Sequence, residues 1–270
     1  MVELNKKYEF KVKRFGFINW IGFKSLWIKE CSRFTVVWQQ TLLSPLVSSL
    51  LFLSVLSLAL GNDRGEVFGY SFISFLAPGL IAMSILTQSF SHSVSSLMIA
   101  KIQGNIVDML YAPLSALEVT MAIIFAAITR SLLIAVISII VFSIIVEIHF
   151  DKIFYIFLFG FLSSFILGSL GFITGLWAEK FDHTATVTNF IITPLSFLSG
   201  VFYSIDKLPK IFQTISFINP FFYMIDGFRY GFLGTSDGSI KIGIIYLTVL
   251  SFVLWFIAFY LYKKGYKIKS

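Results

Sequence analysis

Six apolar stretches of near-bilayer length, separated by short polar breaks, organise this chain: residues 42–60, 72–92, 119–146, 153–177, 186–204 and 243–262. A hydrocarbon layer about 30 Å thick takes roughly 20 apolar residues of helix to cross. Inside lipid every backbone N–H and C=O needs a partner within the structure, so each stretch is expected to be helical. The fold class is therefore all-α membrane protein, with six transmembrane helices and no separate soluble domain.

Three segments between the stretches carry patterns of their own. Residues 1–19 read as a basic arm. Trp20, Phe23, Trp27, Cys31, Phe34 and Trp38 then recur at steps of three or four, the stripe of one helix face, with Lys29 and Arg33 to the side. Tryptophans beside lysines suit an N-terminal interfacial helix over 20–38 lying in the headgroup layer; a helix packed on other protein gives the same stripe. Residues 101–118, KIQGNIVDMLYAPLSALE, set Ile102, Ile106, Met109 and Leu110 at helical spacing around Gln103, Asn105 and Asp108. That is a short amphipathic helix, ended by Pro113. The aromatic segment 205–241 reads as two short outer helices, Leu208–Ile218 and Phe221–Leu233, split by Asn219-Pro220 and too short to span.

Within the stretches, Pro45 falls near the start of the first, Pro78-Gly79 predicts a break in the second, and Pro194 lies in the fifth. The fourth carries Gly160, Ser164, Gly168, Gly171 and Gly175, a ridge of small residues of the kind that lets membrane helices approach closely.

Charge sets the orientation. The chain is 57% hydrophobic, 13% charged and has a formal net charge of +7. Eight of its basic residues precede Leu42 and four close the chain at Lys263, Lys264, Lys267 and Lys269, whereas the segments expected on the other side hold Arg64, Lys152, Lys207, Lys210, Arg229 and Lys241. This bias puts both termini in the cytoplasm. Anionic lipid headgroups, not nucleic acid, are the partner expected for the basic ends. The first strongly apolar run begins near Leu42, which argues against a cleaved signal peptide. The single cysteine, Cys31, reads as a packing residue.

Enzyme chemistry is hard to place on this chain. It has no GxxxxGK[ST] phosphate loop, no HExxH and no GxSxG, and His92, His149 and His183 are scattered without metal-ligand spacing. Arg130 stands out because a charge deep in a bilayer is costly and is shielded or functional. It reads as a snorkelling or structurally paired group, or as a lining of a substrate route that attracts an anionic headgroup. Asp226 and Arg229, three apart on one helix face, read as a local ion pair or as a gating contact. The glutamate Glu118 opens the third stretch and favours a helix N-terminus.

Three stretches carry a resemblance: FLAPGLIAMSILTQSFS at Phe75–Ser91, KIQGNIVDMLYAPLSALE at Lys101–Glu118, and FLSGVFYSIDKLPKIFQTISFINPFFYMIDGFRYGFLG at Phe197–Gly234. Together they resemble the ABC-2 family of bacterial ABC exporter permeases, most closely its YadH-like branch, from Trp20 to the end of the sixth stretch. The resemblance implies an ABC-2 type transmembrane domain over 20–270, in which two copies of this subunit pair with two copies of a separate ATPase. ATP and Mg would sit on that partner chain, and this chain would bind no cofactor and catalyse nothing itself. The resemblance also implies that 101–113 is a cytoplasmic coupling helix docking on the ATPase through Gln103, Asn105, Ile106, Asp108, Met109 and Leu110, and that 205–234 forms short re-entrant helices capping the far side.

The function expected is the permease subunit of an exporter in the bacterial cytoplasmic (inner) membrane, moving a lipid, drug or lipid-linked glycan by alternating access. An ion-coupled secondary carrier is the alternative. It predicts acidic groups inside the spans, and Glu147, Asp151, Glu179 and Asp182 all sit at their ends.

Overall fold

The computed structural model describes residues 18–60 and 66–268. Most of the basic arm expected over 1–19, part of the 61–70 loop and Lys269 lie outside the described residues. Apart from a two-residue hairpin, Glu66–Val67 (β1) paired antiparallel with Tyr70–Ser71 (β2), the ordered elements are helical.

Five helical stretches among the described residues are long and apolar enough to cross a membrane: Gln39–Ala59, Phe72–Ile102, Ala116–Phe142, Ile153–Trp177 and Ile240–Lys263. Helix α1 (Trp20–Val36) precedes the first of these, which opens with a π-helical turn at Gln39–Leu43 and continues as α2 (Ser44–Leu60). Next come α3 (Phe72–Ile102), α4 (Ile106–Tyr111), α5 (Ala116–Phe142) and α6 (Ile153–Trp177). The expected stretch 186–204 is instead a helical path in three pieces: α7 (Phe181–Val187), a π turn at Thr188–Ile192 and α8 (Thr193–Phe197). It starts earlier than the hydropathy suggests and ends before Gly200, whose φ of +74° turns the chain. The chain closes with α9 (Lys210–Ile218), α10 (Pro220–Leu233) and α11 (Ile240–Lys263).

Both π turns have the same cause. Each starts six residues before a proline, Pro45 or Pro194, and closes with an i→i−5 bond, Ser44 N–H to the Gln39 carbonyl and Thr193 N–H to the Thr188 carbonyl. A proline ring clashes with the carbonyl four residues back, and a wider turn relieves that clash without ending the helix. Pro78 behaves differently from expectation. Helix α3 runs through it unbroken, because it lies in the second turn and only one early hydrogen bond is at stake.

The centre of the bundle is α3 packed on α6 and α5. The small-residue ridge of α6 makes this possible. A Cβ on Gly171 would come within 2.4 Å of the Phe90 carbonyl, and one on Gly175 would meet Leu97 at 3.0 Å. Across the same seam Ser89 donates to the Ser164 carbonyl at 2.5 Å, and between α5 and α6 the Ser131 and Ser164 hydroxyls share a hydrogen bond of 2.8 Å. Helix α3 is ten residues longer than its apolar run, so its serine-rich end, including Ser89, Ser93 and Ser96, is buried inside the bundle.

One end of the bundle is closed by α10, which is buried along almost its whole length. Gly227 and Gly231 let it lie on α6, since added Cβ atoms would sit 2.2 Å from Phe159 and 2.4 Å from Ile156. Asn219 caps α10 by accepting from the Phe221 N–H at 3.0 Å, and left-handed Gly234 ends it.

The opposite end carries α1, α4 and the C-terminal turn. There α1 does not lie apart from the bundle. It climbs alongside α5, with Asn19 at Glu118, the Phe23 ring 6.3 Å from that of Phe125, and Trp27 Nε1 donating to Thr129 Oγ1 at 3.3 Å. Leu26 and Phe34 are buried by this packing, while Trp20 and Trp38 remain largely exposed. The middle of the stripe packs on protein and its ends are on the open surface.

Candidate functional site

In a bundle this apolar, polar groups that meet at depth define the site. Arg130 lies near the middle of α5, about 21 Å from the Ala116 end at 1.5 Å per residue. It does not snorkel. The side chain is buried, and its Nη2 donates to Gln88 Oε1 on α3 and to the Thr41 carbonyl at 3.4 Å. In an α-helix the Thr41 carbonyl would be paired with the N–H of residue 45, which proline lacks. Pro45 therefore creates an acceptor inside the bundle and Arg130 uses it.

A cavity of about 440 Å³ opens beside this guanidinium, between α1, α2, α3 and α5, with Arg33, Gln40, Gln88, His92, Ser95 and Arg130 on its wall. Arg33 Nη2 donates to the His92 carbonyl at 3.3 Å and pairs with the Glu30 carboxylate at 3.2 Å. Glu30 is itself buried, accepts from Ser96 Oγ at 2.8 Å and lies 3.8 Å from His92 Nε2. Sequence reasoning missed this carboxylate. Its only signal is that Leu26, Glu30 and Phe34 fall four apart, one acid on an otherwise apolar row with Arg33 a turn on.

A second cavity, about 310 Å³, continues from the first. The two share Gln40, Ser44 and Gln88, and the second runs past Ser48, Ser84 and Thr87 to Phe52, Phe197 and Phe202. Hydroxyls line its length: Ser49 and Ser84 share a hydrogen bond of 2.9 Å, and Thr87 Oγ1 donates to the Met83 carbonyl at 3.0 Å. The result is a groove along α2 and α3, polar at the end that holds Arg33 and Arg130 and mostly apolar toward Phe52, Phe197 and Phe202.

The second candidate is the α4 region, which splits the six expected contact residues. Ile106 and Met109 face inward and are buried with Leu26, Val119 and Tyr262, so they anchor α4 to its own bundle and offer no surface to a partner. Gln103, Asn105, Asp108 and Leu110 are exposed, as are Val107 and Tyr111, which the spacing argument left out. Tyr111 is 86% exposed. Beside this face a cleft of about 690 Å³ runs from α4 to the C-terminal turn, where Lys267 Nζ pairs with Glu179 at 2.7 Å. The Lys267 ammonium holds the Glu179 carboxyl below its usual range.

The α4 segment is tied to the rest of the chain at its exit. Ser115 and Glu118 form a reciprocal capping box at the start of α5. The other Glu118 oxygen accepts from the Asn19 N–H at 2.5 Å, and Asn19 Nδ2 donates to the Pro113 carbonyl at 3.0 Å. Glu118 thus joins the start of α1 to the start of α5, with Asn19 extending the tie to the α4 exit, and is more than a helix-end charge.

Asp226 and Arg229 are both buried, but no ion pair joins them among the described residues, and neither lines the groove. Asp226 accepts from the backbone N–H groups of Asp237 and Gly238, each at 3.0 Å. Arg229 donates to the Gly200 and Val201 carbonyls at 2.7 and 3.3 Å, and its guanidinium lies 3.8 Å from the centre of the Phe75 ring. Each charge fastens α10 to a different turn of the chain, so the expected pairing across one helical turn gives way to two backbone clamps.

A bundle of several membrane-length helices with a groove opening between α2 and α3 is the architecture of a transport permease. The model of the ABC-2 type transporter family matches residues 22–233, and the chain belongs to that family. It is 32% identical over 253 residues, 93% of this chain and 98% of the relative, to the inner membrane transport permease YadH of Escherichia coli (strain K12). It is also 25% identical to nodulation protein J of Neorhizobium galegae, over 87% of this chain and 90% of that protein, and 26% identical to nodulation protein J of Rhizobium leguminosarum bv. viciae, over 83% and 89%.

Proposed function

We propose that this chain is the membrane subunit of an ATP-driven exporter of the bacterial inner membrane. Two copies would work with two copies of an ABC ATPase, with both termini and α4 in the cytoplasm. The cargo would be a lipid, drug or lipid-linked glycan passing along the groove between α2 and α3. A sixth crossing would be supplied by the broken helix from Phe181 to Phe197. One observation carries the reading. The family match runs from residue 22 to 233, and within it lies an apolar and polar face on α4, Val107, Asp108, Leu110 and Tyr111, that is exposed among the described residues.

The mechanism follows from the ties around α4. When the ATPase pair closes on ATP, α4 moves with the surface it rests on. Ile106 and Met109 pass that movement to the ends of α1, α3 and α5. Asn19 and Glu118 carry it into α1, and α1 holds Arg33 at the mouth of the groove. A shift of α1 relative to α3 and α5 changes the access to Arg130. The faces of α2 and α11 that no described residue covers are available to the second copy and to lipid. The charge bias of the termini supports the orientation.

The test is co-purification with the proposed ABC ATPase partner. Wild-type chain should retain the ATPase and raise its ATP hydrolysis, and Leu110→Asp should lose both while still inserting in the membrane. ATPase retained by Leu110→Asp at wild-type yield would count against the reading.

A further inference from the structure

We propose that the cavity beside Arg130 binds the phosphate of an anionic amphiphile headgroup, with Arg130 and Arg33 as its cationic ligands. This names the chemistry of the cargo and rests on the exporter reading.

Charge balance is the first argument. The cluster contains two guanidiniums and one carboxylate. Glu30 pairs with Arg33 at 3.2 Å and does not line the cavity, so it does not neutralise Arg130. No carboxylate among the described residues pairs with Arg130, whose partners are the neutral Gln88 amide and the Thr41 carbonyl. A buried guanidinium without a counter-charge is a costly arrangement in a bilayer, and an incoming anion removes that cost. Arg229 shows the contrast. It is buried too, but it is bonded to two carbonyls, lies on an aromatic face, and has the carboxylates of Asp226 and Asp237 near enough to act on its charge.

Unused donors are the second argument. Arg130 Nε, like Arg229 Nε, is buried without a hydrogen-bond partner, as are the two His92 ring nitrogens, one a donor and one an acceptor in neutral imidazole; of these residues Arg130 and His92 line the cavity. Gln40, Ser44 and Ser91 add further polar groups to the same wall. A volume of about 440 Å³ with two arginine forks and several neutral donors exceeds what a carboxylate needs and suits a tetrahedral phosphate, which takes several charge-assisted hydrogen bonds at once.

Location is the third argument, and it selects an amphiphile over a soluble anion. The cavity lies at the depth of mid-helix residues of α3 and α5, and apolar side chains, Val37 on its wall among them, border its open flank beside Gln39 and Gln40. Val36, Val37, Trp38 and Leu43 are all exposed along the junction of α1 and α2. A headgroup can sit on the arginines while its hydrocarbon chains lie outside against that flank.

The full-length permease, purified without any ATPase, is tested by native mass spectrometry with phosphatidic acid and with diacylglycerol of the same chains. The expected result is at least tenfold greater retention of phosphatidic acid, competed by inorganic phosphate. Arg130→Gln and Arg33→Gln should each lose that preference at least tenfold, while Lys264→Gln, on the exposed end of α11, should keep it. Arg33 is partly exposed and its loss leaves the Arg130–Gln88 bond intact, so Arg33→Gln carries the test if Arg130→Gln proves unstable. Equal retention of diacylglycerol, or wild-type preference in Arg33→Gln, overturns the site. Vesicles containing the ATPase then separate the sources. Movement of the phosphate lipid between leaflets on ATP addition supports cargo, whereas retention without movement overturns the cargo role and leaves the binding site standing. Binding by a permease that moves nothing in any ATP-driven assay would sink the exporter reading and not the site.

Discussion

The Arg130 guanidinium donates to the Thr41 carbonyl, 89 positions away in the chain and one that Pro45 deprives of its helical partner. A proline in one helix thus provides the acceptor that holds the only arginine lying deep within a described span. Replacing Pro45 with Ala should return that carbonyl to the helix and release Arg130. ATP-driven transport by the reconstituted complex should fall at least fivefold, and stability should change by no more than about 1 kcal/mol, the worth of one hydrogen bond. Transport at the wild-type rate would detach Pro45 from the route.

The seam between α3 and α6 gives a paired prediction. Gly171→Ala places a methyl 2.4 Å from a backbone carbonyl, whereas Gly168→Ala meets its neighbours at an ordinary 3.4 Å. The first should cost about 1–3 kcal/mol of stability through overpacking and the second under about 1 kcal/mol. Thermal unfolding of the two variants in the same detergent measures the difference. Equal losses would mean that the ridge is not held by close approach.

The clamps on α10 separate by chemistry. Asp226→Ala leaves the Asp237 and Gly238 N–H groups without an acceptor and should destabilise the protein by about 1–3 kcal/mol, while Asp226→Asn keeps one acceptor oxygen and should lose less. Arg229→Lys keeps the charge but cannot reproduce a planar group on the Phe75 ring bonded to two carbonyls, so it should also lose stability. If transport fails in these variants while stability is unchanged, the pair acts as a gate and not as a fastening.

Helix positions were largely legible in the sequence because lipid imposes length and apolarity directly. The stretch at 153–177 coincides with α6, and the glycine ridge marked the seam on which α6 packs. The candidate site was legible only in part. Arg130 stands out as a charge in an apolar run, but Gln88 and Thr41 are separated from it by 42 and 89 positions and carry no local mark. The π turns had a signal in Pro45 and Pro194, yet hydropathy is blind to backbone geometry. Periodicity found the amphipathic α4 but could not tell which apolar residues the chain keeps for itself. Ile106 and Met109 turn inward, and Leu110, Val107 and Tyr111 do not.

That division of α4 predicts two different failures. Met109→Asp buries a carboxylate among Leu26, Val119 and Tyr262 and should unfold or mislocalise the protein. Leu110→Asp changes an exposed position and should leave the fold intact while removing the ATPase. Detergent extraction followed by size-exclusion chromatography, with and without the ATPase, distinguishes the two outcomes.

The most direct measurement of the central claim is transport in sealed proteoliposomes containing this chain with and without its ATPase. The account predicts movement of a phosphate-bearing lipid only when the ATPase and ATP are both present, and its loss in Leu110→Asp. Movement by this chain alone, driven by an ion gradient, would contradict it.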